Sequence, residues 1–393
     1  MKSSKKQIYA SIKMILVHIG RWISQLVFFR SRYTIFLFFP FYHIGGAEKI
    51  HSEIASAIRD PKPVVFFTKK SKDASLRPLF DRRADCVDIS FFSEKSWTSY
   101  VCFGIISQMI NRALNPVVFG SNSNFFYHLL PYLKPETRCV DLIHAFGGGI
   151  ENVSLPYIEH LNNRIVVSEN GREDLIHQYA LNNVPGEYVS RIMVIENGIT
   201  VKGEYTRKDP KGSLMAIFVG RGSEEKRVGL IGKAASKLKE SGIPVTFILI
   251  GDVMGSVSAD DRANCMFKGE ITDEKALNDY YKQADILILT SSREGFPLVI
   301  MEAMAHGVVP ISTDVGGISK HIVNDKTGIL IKTRNPGEIV IALVDRITEL
   351  HFNRDKLLNM SEAAYDYAKI TFNSKAFLDS YRKLFKAEDV KVT

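Results

Sequence analysis

No acidic residue precedes Glu48, while Lys2, Lys5, Lys6, Lys13, Arg21, Arg30 and Arg32 place seven positive charges in that stretch. The formal net charge of the chain is +8, so the remainder is close to neutral. A nucleic-acid-binding domain spreads basic residues over a folded face. Here the basicity sits at one end, and no nucleic-acid partner is expected. Cysteine is scarce as well: Cys86, Cys102, Cys139 and Cys265 are the four in 393 residues, with no C-x-x-C and no metal-ligand spacing. That argues against a disulfide scaffold and a cysteine zinc site, and for a reducing, cytoplasmic setting. There is no D-x-D motif, no internal repeat and no low-complexity tract. Against these absences stands an ordinary globular composition, 45% hydrophobic and 24% charged, in a chain long enough for two domains.

The N-terminal region has a helical rhythm. Ile12, Ile15, Leu16, Ile19, Trp22, Ile23, Leu26 and Val27 recur at three- and four-residue steps, with Lys13, Arg21, Ser24 and Gln25 mostly on the other side. Lys13, His18 and Arg21 interrupt every apolar stretch before it is long enough to span a bilayer. No small-residue cleavage site follows, so a signal peptide is not expected. Two readings of residues 1–32 stand: a basic amphipathic helix lying on an anionic membrane surface, at the inner face of the cell membrane, or a helix packed on the protein's own core.

Beyond it, short apolar runs alternate with helical stretches. TIFLFF (34–39), PVVFFT (63–68), CVDIS (86–90), PVVFG (116–120), RCVDLIH (138–144), RIVVS (164–168) and RIMVIE (191–196) read as buried strands. A polar segment rich in glycine and charge (198–213) reads as a linker. The alternation then restarts with LMAIFVG (214–220), VTFILIG (245–251), CMFKGE (265–270), DILILTS (285–291), VVPIST (308–313) and GILI (328–331). This predicts an α/β chain of two doubly wound parallel sheets: an N-terminal domain over 33–197, a C-terminal one over 214–370 and a helical end over 371–393. Ligands in such sheets bind outside the carboxyl ends of the strands.

One such end carries an odd pair of carboxylates. In SSREGFPLVIMEAMAHG (291–307), Glu302 interrupts an apolar helix and Glu294 stands in the loop before it. A buried, unpartnered carboxylate costs several kcal/mol. The hydroxyls of a ribose would satisfy Glu302, and so would a buried lysine or arginine. Amides of the first helical turn are suited to an anion such as phosphate. Glu294 could then accept hydrogen bonds from a second sugar.

REGFPLVIMEAMAHGVVPISTDVGGI resembles the E-x7-E signature of retaining GT-B glycosyltransferases, family four (glycosyl transferases group 1). HIGGAEKIH (43–51) is similar to that family's glycine loop after the first strand. FVGRGSEEKR (218–227) is similar to its diphosphate segment, and VIENGI (194–199) to its Asn-Gly turn. The resemblance covers roughly residues 33–390. It implies the GT-B fold: two Rossmann-like domains facing a central cleft, with a C-terminal helix crossing back to the N-domain. It implies transfer of a sugar from a UDP-, GDP- or other nucleoside-diphosphate sugar to a hydroxyl of a glycan or lipid-linked acceptor. Such reactions occur in cell-surface polysaccharide or lipopolysaccharide assembly. The resemblance further implies that the configuration is retained, that no cofactor is used and that no metal is obligatory.

Carried over residue by residue, the resemblance gives Glu302 the ribose, Glu294 the donor sugar, and Arg221 and Lys226 the diphosphate. Phe296, Leu298 and Val299 lie where backbone meets donor. Gly45 and Gly46 let the backbone approach phosphate, unless they form only a tight turn. His144 corresponds to a histidine near the reacting sugar, though the residue by itself reads equally as structural. Arg227 departs from the family's glycine, and Ser319-Lys320 from its Pro-Glu. Lys320 and His321 either add charge near the donor or face solvent. Two other readings remain: an epimerase or hydrolase on the same fold, and a catalytically silent nucleotide-sugar-binding paralogue.

Overall fold

The computed structural model describes residues 2–26, 33–201, 203–206 and 212–386. Val27, Arg30 and Arg32 of the predicted basic region, and linker residues 207–211, lie outside these. The chain divides into two units. The first comprises residues 1–166, 172–195 and 378–393, and the second residues 167–171 and 196–377.

The first unit holds a seven-stranded sheet of β1 (Ile35–Phe39), β2 (Val64–Phe67), β3 (Asp85–Asp88), β4 (Val117–Ser121), β5 (Arg138–Ile143), β6 (Asn163–Val166) and β7 (Ile192–Val194), ordered β3-β2-β1-β4-β5-β6-β7. Every pairing is parallel. IFLFF is apolar at all five positions because β1 is central and covered on both faces. Phe38 faces one layer and stacks on Phe66 at 5.1 Å. Phe39 faces the other, with Phe119 edge-on at 6.2 Å. That second layer is completed by the C-terminal helix Ser374–Lys386. Its Tyr381 and Phe385 pack on Phe119 at 6.1 and 5.7 Å. Arg138 ties it down by donating from Nη1 to the Leu384 carbonyl at 2.6 Å.

The second unit repeats the scheme with six strands. β8 (Leu214–Val219), β9 (Val245–Ile250), β10 (Met266–Gly269), β11 (Ile286–Leu289), β12 (Val309–Thr313) and β13 (Ile329–Ile331) are ordered β10-β9-β8-β11-β12-β13, all parallel. Strand order reverses between β8 and β11, which pair directly through Ile286 with Ala216 and Leu287 with Ile217. Chain connections lead away in opposite directions at such a point. The loops leaving these two strands therefore flank an open crevice.

The N-terminal helix Lys2–Leu26 packs on the helix Ser96–Asn111 of the first unit. Its buried side is not the row of large residues that periodicity suggests. Val17, Gly20 and Ser24 face inward, with Val17 fully buried in the core that also holds Phe36, Phe103 and Ile106. Small residues win this side because the backbones nearly touch. A Cβ built on Gly104 would lie 2.1 Å from the Val17 carbonyl oxygen, and one on Gly20 would lie 2.0 Å from that of Val101. Ile15, Ile19 and Trp22 consequently point outward, 57%, 43% and 61% exposed. Among the described residues no helix is long and apolar enough to cross a membrane.

Gly104→Val should therefore force the two helices apart. Overpacking of this kind costs roughly 1–3 kcal/mol. Urea denaturation followed by circular dichroism measures it, and unchanged stability would contradict the close approach described here.

Candidate functional site

Two loops of the second unit, one after β8 and one after β11, are laced together. Thr290 donates from its hydroxyl to the carbonyls of Lys226 and Arg227 at 2.9 and 3.1 Å. The Ser292 amide donates to the Glu225 carbonyl at 2.7 Å. Arg227 returns the contact, donating from Nε to the Thr290 carbonyl at 2.7 Å and from Nη2 to that of Ser291 at 2.9 Å. Its backbone is left-handed, with φ at 48°, the conformation for which glycine is the usual choice. Here an arginine accepts that strain, and its planar fork reaches two successive carbonyls, those of Thr290 and Ser291.

The lacing brings Lys226 to Glu294. Nζ and Oε1 form an ion pair at 2.5 Å, with only 18% and 10% of the two side chains exposed. The Ser291 hydroxyl also donates to Glu294, at 2.6 Å. Arg221 is exposed in the loop after β8. Within this unit, then, the predicted diphosphate lysine and the predicted sugar carboxylate are direct neighbours.

The loop bearing Glu294 is also held from behind. Gly317 donates from its amide to the Gly295 carbonyl at 2.6 Å. Gly316 has φ at 58°, and a Cβ there would lie 1.9 Å from the Glu294 carbonyl oxygen. Thr313 at the end of β12 donates to the Ser291 carbonyl at 2.6 Å. Phe296 is buried against His321 at 4.3 Å and Phe372 at 5.5 Å. Pro297 stays extended and caps the helix Leu298–Met304. Leu298 is buried and Val299 half-buried in its first turn.

Glu302 is half-buried in that helix. Its Oε2 accepts a hydrogen bond from the Tyr281 hydroxyl at 3.0 Å. This partner, neither lysine nor arginine, was not anticipated from the sequence. Tyr281 is fully buried, stacked on His306 at 5.5 Å. Burial, reinforced by the neighbouring carboxylate, raises its phenol well above the usual range, so it remains a donor. Lys320 and His321 do not supply loose positive charge. Lys320 pairs with Glu196, and His321 is buried with Nδ1 3.1 Å from the Tyr367 hydroxyl.

In the first unit, Gly45 caps the helix Gly46–Ala57 in extended conformation, φ 177°. A Cβ on it would meet the buried Glu48 carboxylate at 2.1 Å. His144 follows the carboxyl end of β5 and stays partly exposed. Burial lowers its pKa to about 4. In the glycine run after it, the Gly149 amide donates to the Glu151 carboxylate at 2.9 Å, which fixes the end of that run to the next helix.

Two parallel doubly wound sheets define the GT-B class of architecture. Solved structures share it: HepE of Anabaena, crystallised with UDP-glucose, superposes with a TM-score of 0.69 at 16% identity, covering 89% of this chain and 98% of that one. Sucrose-phosphate synthase of Thermosynechococcus elongatus gives a TM-score of 0.69 at 18% identity, covering 91% and 100%. Residues 205–367 match the family described as Glycosyl transferases group 1. Among curated relatives, a putative teichuronic acid biosynthesis glycosyltransferase of Bacillus subtilis is 28% identical over 184 residues, 45% of this chain and 44% of that protein. An uncharacterised protein in the cps region of Klebsiella pneumoniae is 25% identical over 209 residues, 50% of this chain and 56% of the other. The chain thus spans about half the length of these relatives.

Gly316→Ala should be costly for its size, because both the positive φ and the Glu294 carbonyl oppose a methyl group. We expect a loss of about 1–3 kcal/mol, measured by chemical denaturation beside Gly255→Ala, where a Cβ meets nothing within 4 Å. Equal effects at the two positions would remove the buttressing role.

Proposed function

We propose that the protein is a glycosyltransferase that moves a sugar from a nucleoside-diphosphate sugar to a hydroxyl of a glycan or lipid-linked acceptor. Retention of configuration and independence from metal form part of this reading. The observation that carries it is the Lys226–Glu294 pair, held at 2.5 Å on the two loops that flank the strand-order reversal, with Glu302 in the helix that follows. A cation and a carboxylate at that place match the two needs of a nucleotide sugar: charge for the diphosphate and acceptors for hydroxyls. The relatives named for teichuronic acid biosynthesis and the cps region favour a cell-surface polysaccharide as product.

In this reading Arg221 and Lys226 neutralise the departing diphosphate, the largest charge that develops as the glycosidic bond breaks. The sugar passes through an oxocarbenium-like state. The acceptor hydroxyl attacks from the face that the diphosphate leaves, and a phosphate oxygen takes its proton. Amides around Phe296, Leu298 and Val299 approach the donor. Glu302, with Oε2 fixed by Tyr281, accepts from the ribose, and Glu294 accepts from the transferred sugar. In the first unit, His144 is assigned to the sugar of the donor and Gly45-Gly46 to its phosphate.

Glu302→Ala is expected to weaken even the bare nucleoside diphosphate. A charged hydrogen bond is worth about 1.5–3 kcal/mol, roughly 10- to 100-fold in affinity. Glu294→Ala is expected to leave that affinity nearly intact and to lower turnover. Calorimetry with UDP and GDP, beside turnover of the full donor with and without acceptor, measures both. Equal losses of diphosphate affinity in the two variants would reverse the assignment, and turnover independent of acceptor would replace transfer by hydrolysis or epimerisation.

The same reading places the N-terminal helix on an anionic membrane surface, at the cytoplasmic face. It is supported by a helix that buries its small side and turns Ile15, Ile19 and Trp22 outward, in a segment with seven basic and no acidic residues. Each apolar side chain removed from water contributes about 1.5–3 kcal/mol when burial is complete, and each nearby lysine or arginine about 1 kcal/mol. Because Val17 and Gly20 belong to the fold, deleting the helix would uncover the core. The triple change Ile15→Ser, Ile19→Ser, Trp22→Ser is the cleaner test. It should lower sedimentation with phosphatidylglycerol vesicles at least about tenfold while the circular dichroism melt stays in place. Undiminished sedimentation would show that this face is not the anchor.

A further inference from the structure

His51 was not singled out by its sequence context. It lies on the helix Gly46–Ala57 and is fully buried, its ring lying almost parallel to that of Phe39, 4.2 Å away and inclined by 6°. Its Nε2 stands 2.9 Å from Nε2 of His144. Its other nitrogen, Nδ1, is buried and meets no hydrogen-bonding group among the described residues. Burial keeps both rings neutral at ordinary pH, and for His51 the neighbouring His144 adds to the effect.

Two neutral imidazoles joined through Nε2 must be opposite tautomers. One carries its hydrogen on Nε2 and donates; the other accepts there and carries its hydrogen on Nδ1. If His144 were the donor, His51 would hold its hydrogen on the buried Nδ1, an N–H with no acceptor. Buried N–H groups without partners are rare, because the water they gave up is not replaced. If His51 is the donor, only a lone pair is left at that place. The hydrogen is therefore assigned to Nε2 of His51. It follows that His144 has its accepting nitrogen occupied and a hydrogen on Nδ1, which has no protein partner among the described residues.

We propose that His51 is a positioning residue that locks His144 as the Nδ1–H tautomer, so that His144 donates a hydrogen bond to an oxygen of the bound sugar donor instead of acting as a base. The second half of this statement rests on the reading of His144 given under the proposed function; the tautomer does not. A general base needs a free lone pair aimed at the proton it takes, and here the lone pair of His144 is already held by His51. The acceptor proton then has to leave by another route, consistent with the phosphate oxygen invoked above.

The test uses the full chain labelled with 15N-histidine and long-range proton–nitrogen correlation spectra recorded without ligand. The chain has ten histidines, so His144→Gln identifies the signal. The wild type should show His144 with a protonated Nδ1 and an unprotonated Nε2. His51→Phe keeps a ring against Phe39 but cannot donate. In that variant His144 should shift toward the Nε2–H form, and turnover should fall on the order of tenfold, the effect of one lost hydrogen bond. His51→Gln, which retains an N–H donor, should recover part of both. An Nε2–H pattern for His144 in the wild type, or an unaltered pattern in His51→Phe, overturns the proposal. If the wild type shows the expected tautomer but turns over no nucleotide sugar, the proposed activity fails while the tautomer assignment stands. If His51→Phe does not fold, the wild-type and His51→Gln spectra still decide.

Discussion

The second unit depends on one set of hydrogen bonds, those between the loop after β8 and the loop after β11. Parallel strands adjacent at a reversal of order leave two loops side by side with no strand ladder to join them. Thr290, Arg227 and the Ser292 amide close that gap. Once it is closed, Lys226 has no choice but to face Glu294, and Ser291 fixes which carboxylate oxygen it meets. The loops that carry Lys226 and Glu294 are joined by bonds to backbone groups, while the Ser291 and Tyr281 hydroxyls fix the Glu294 and Glu302 carboxylates. Preorganisation of this kind lets charged groups act without first rearranging.

Much of the fold was legible in the sequence. Continuous apolar runs such as IFLFF and ILIL can be satisfied only by strands covered on both faces, and that fixes parallel pairing with helical connections. The neighbourhood of Glu294 and Lys226 was legible through resemblance. What was not legible has a common cause: it depends on contacts between segments far apart in the chain. Tyr281 lies 21 residues before Glu302, and nothing in KALNDYYKQ distinguishes it from its neighbour Tyr280. The role of Gly316 needs its positive φ and the Glu294 carbonyl behind it. Arg227 could be seen as a departure from glycine, but its compensation by the Thr290 and Ser291 carbonyls could not.

The N-terminal helix shows how periodicity can report amphipathicity and still mislead about direction. The apolar row Ile15, Ile19, Trp22 is real, yet the protein packs the opposite, small-residue side because helix axes can approach closely only where side chains are absent. Gly20 against Gly104 is that place. Hydrophobic spacing identifies a face that seeks a nonaqueous environment; it does not say whether the protein itself supplies that environment.

The outward placement of Trp22 has a spectroscopic consequence. The chain has two tryptophans, and both lie on the first unit, Trp22 at 61% and Trp97 at 55% exposure. Their indoles are already largely hydrated in the folded protein. Intrinsic emission will therefore change little when the chain unfolds and will say nothing directly about the second unit. Trp22 is well placed to shift to shorter wavelength whenever the outward side of the N-terminal helix loses contact with water.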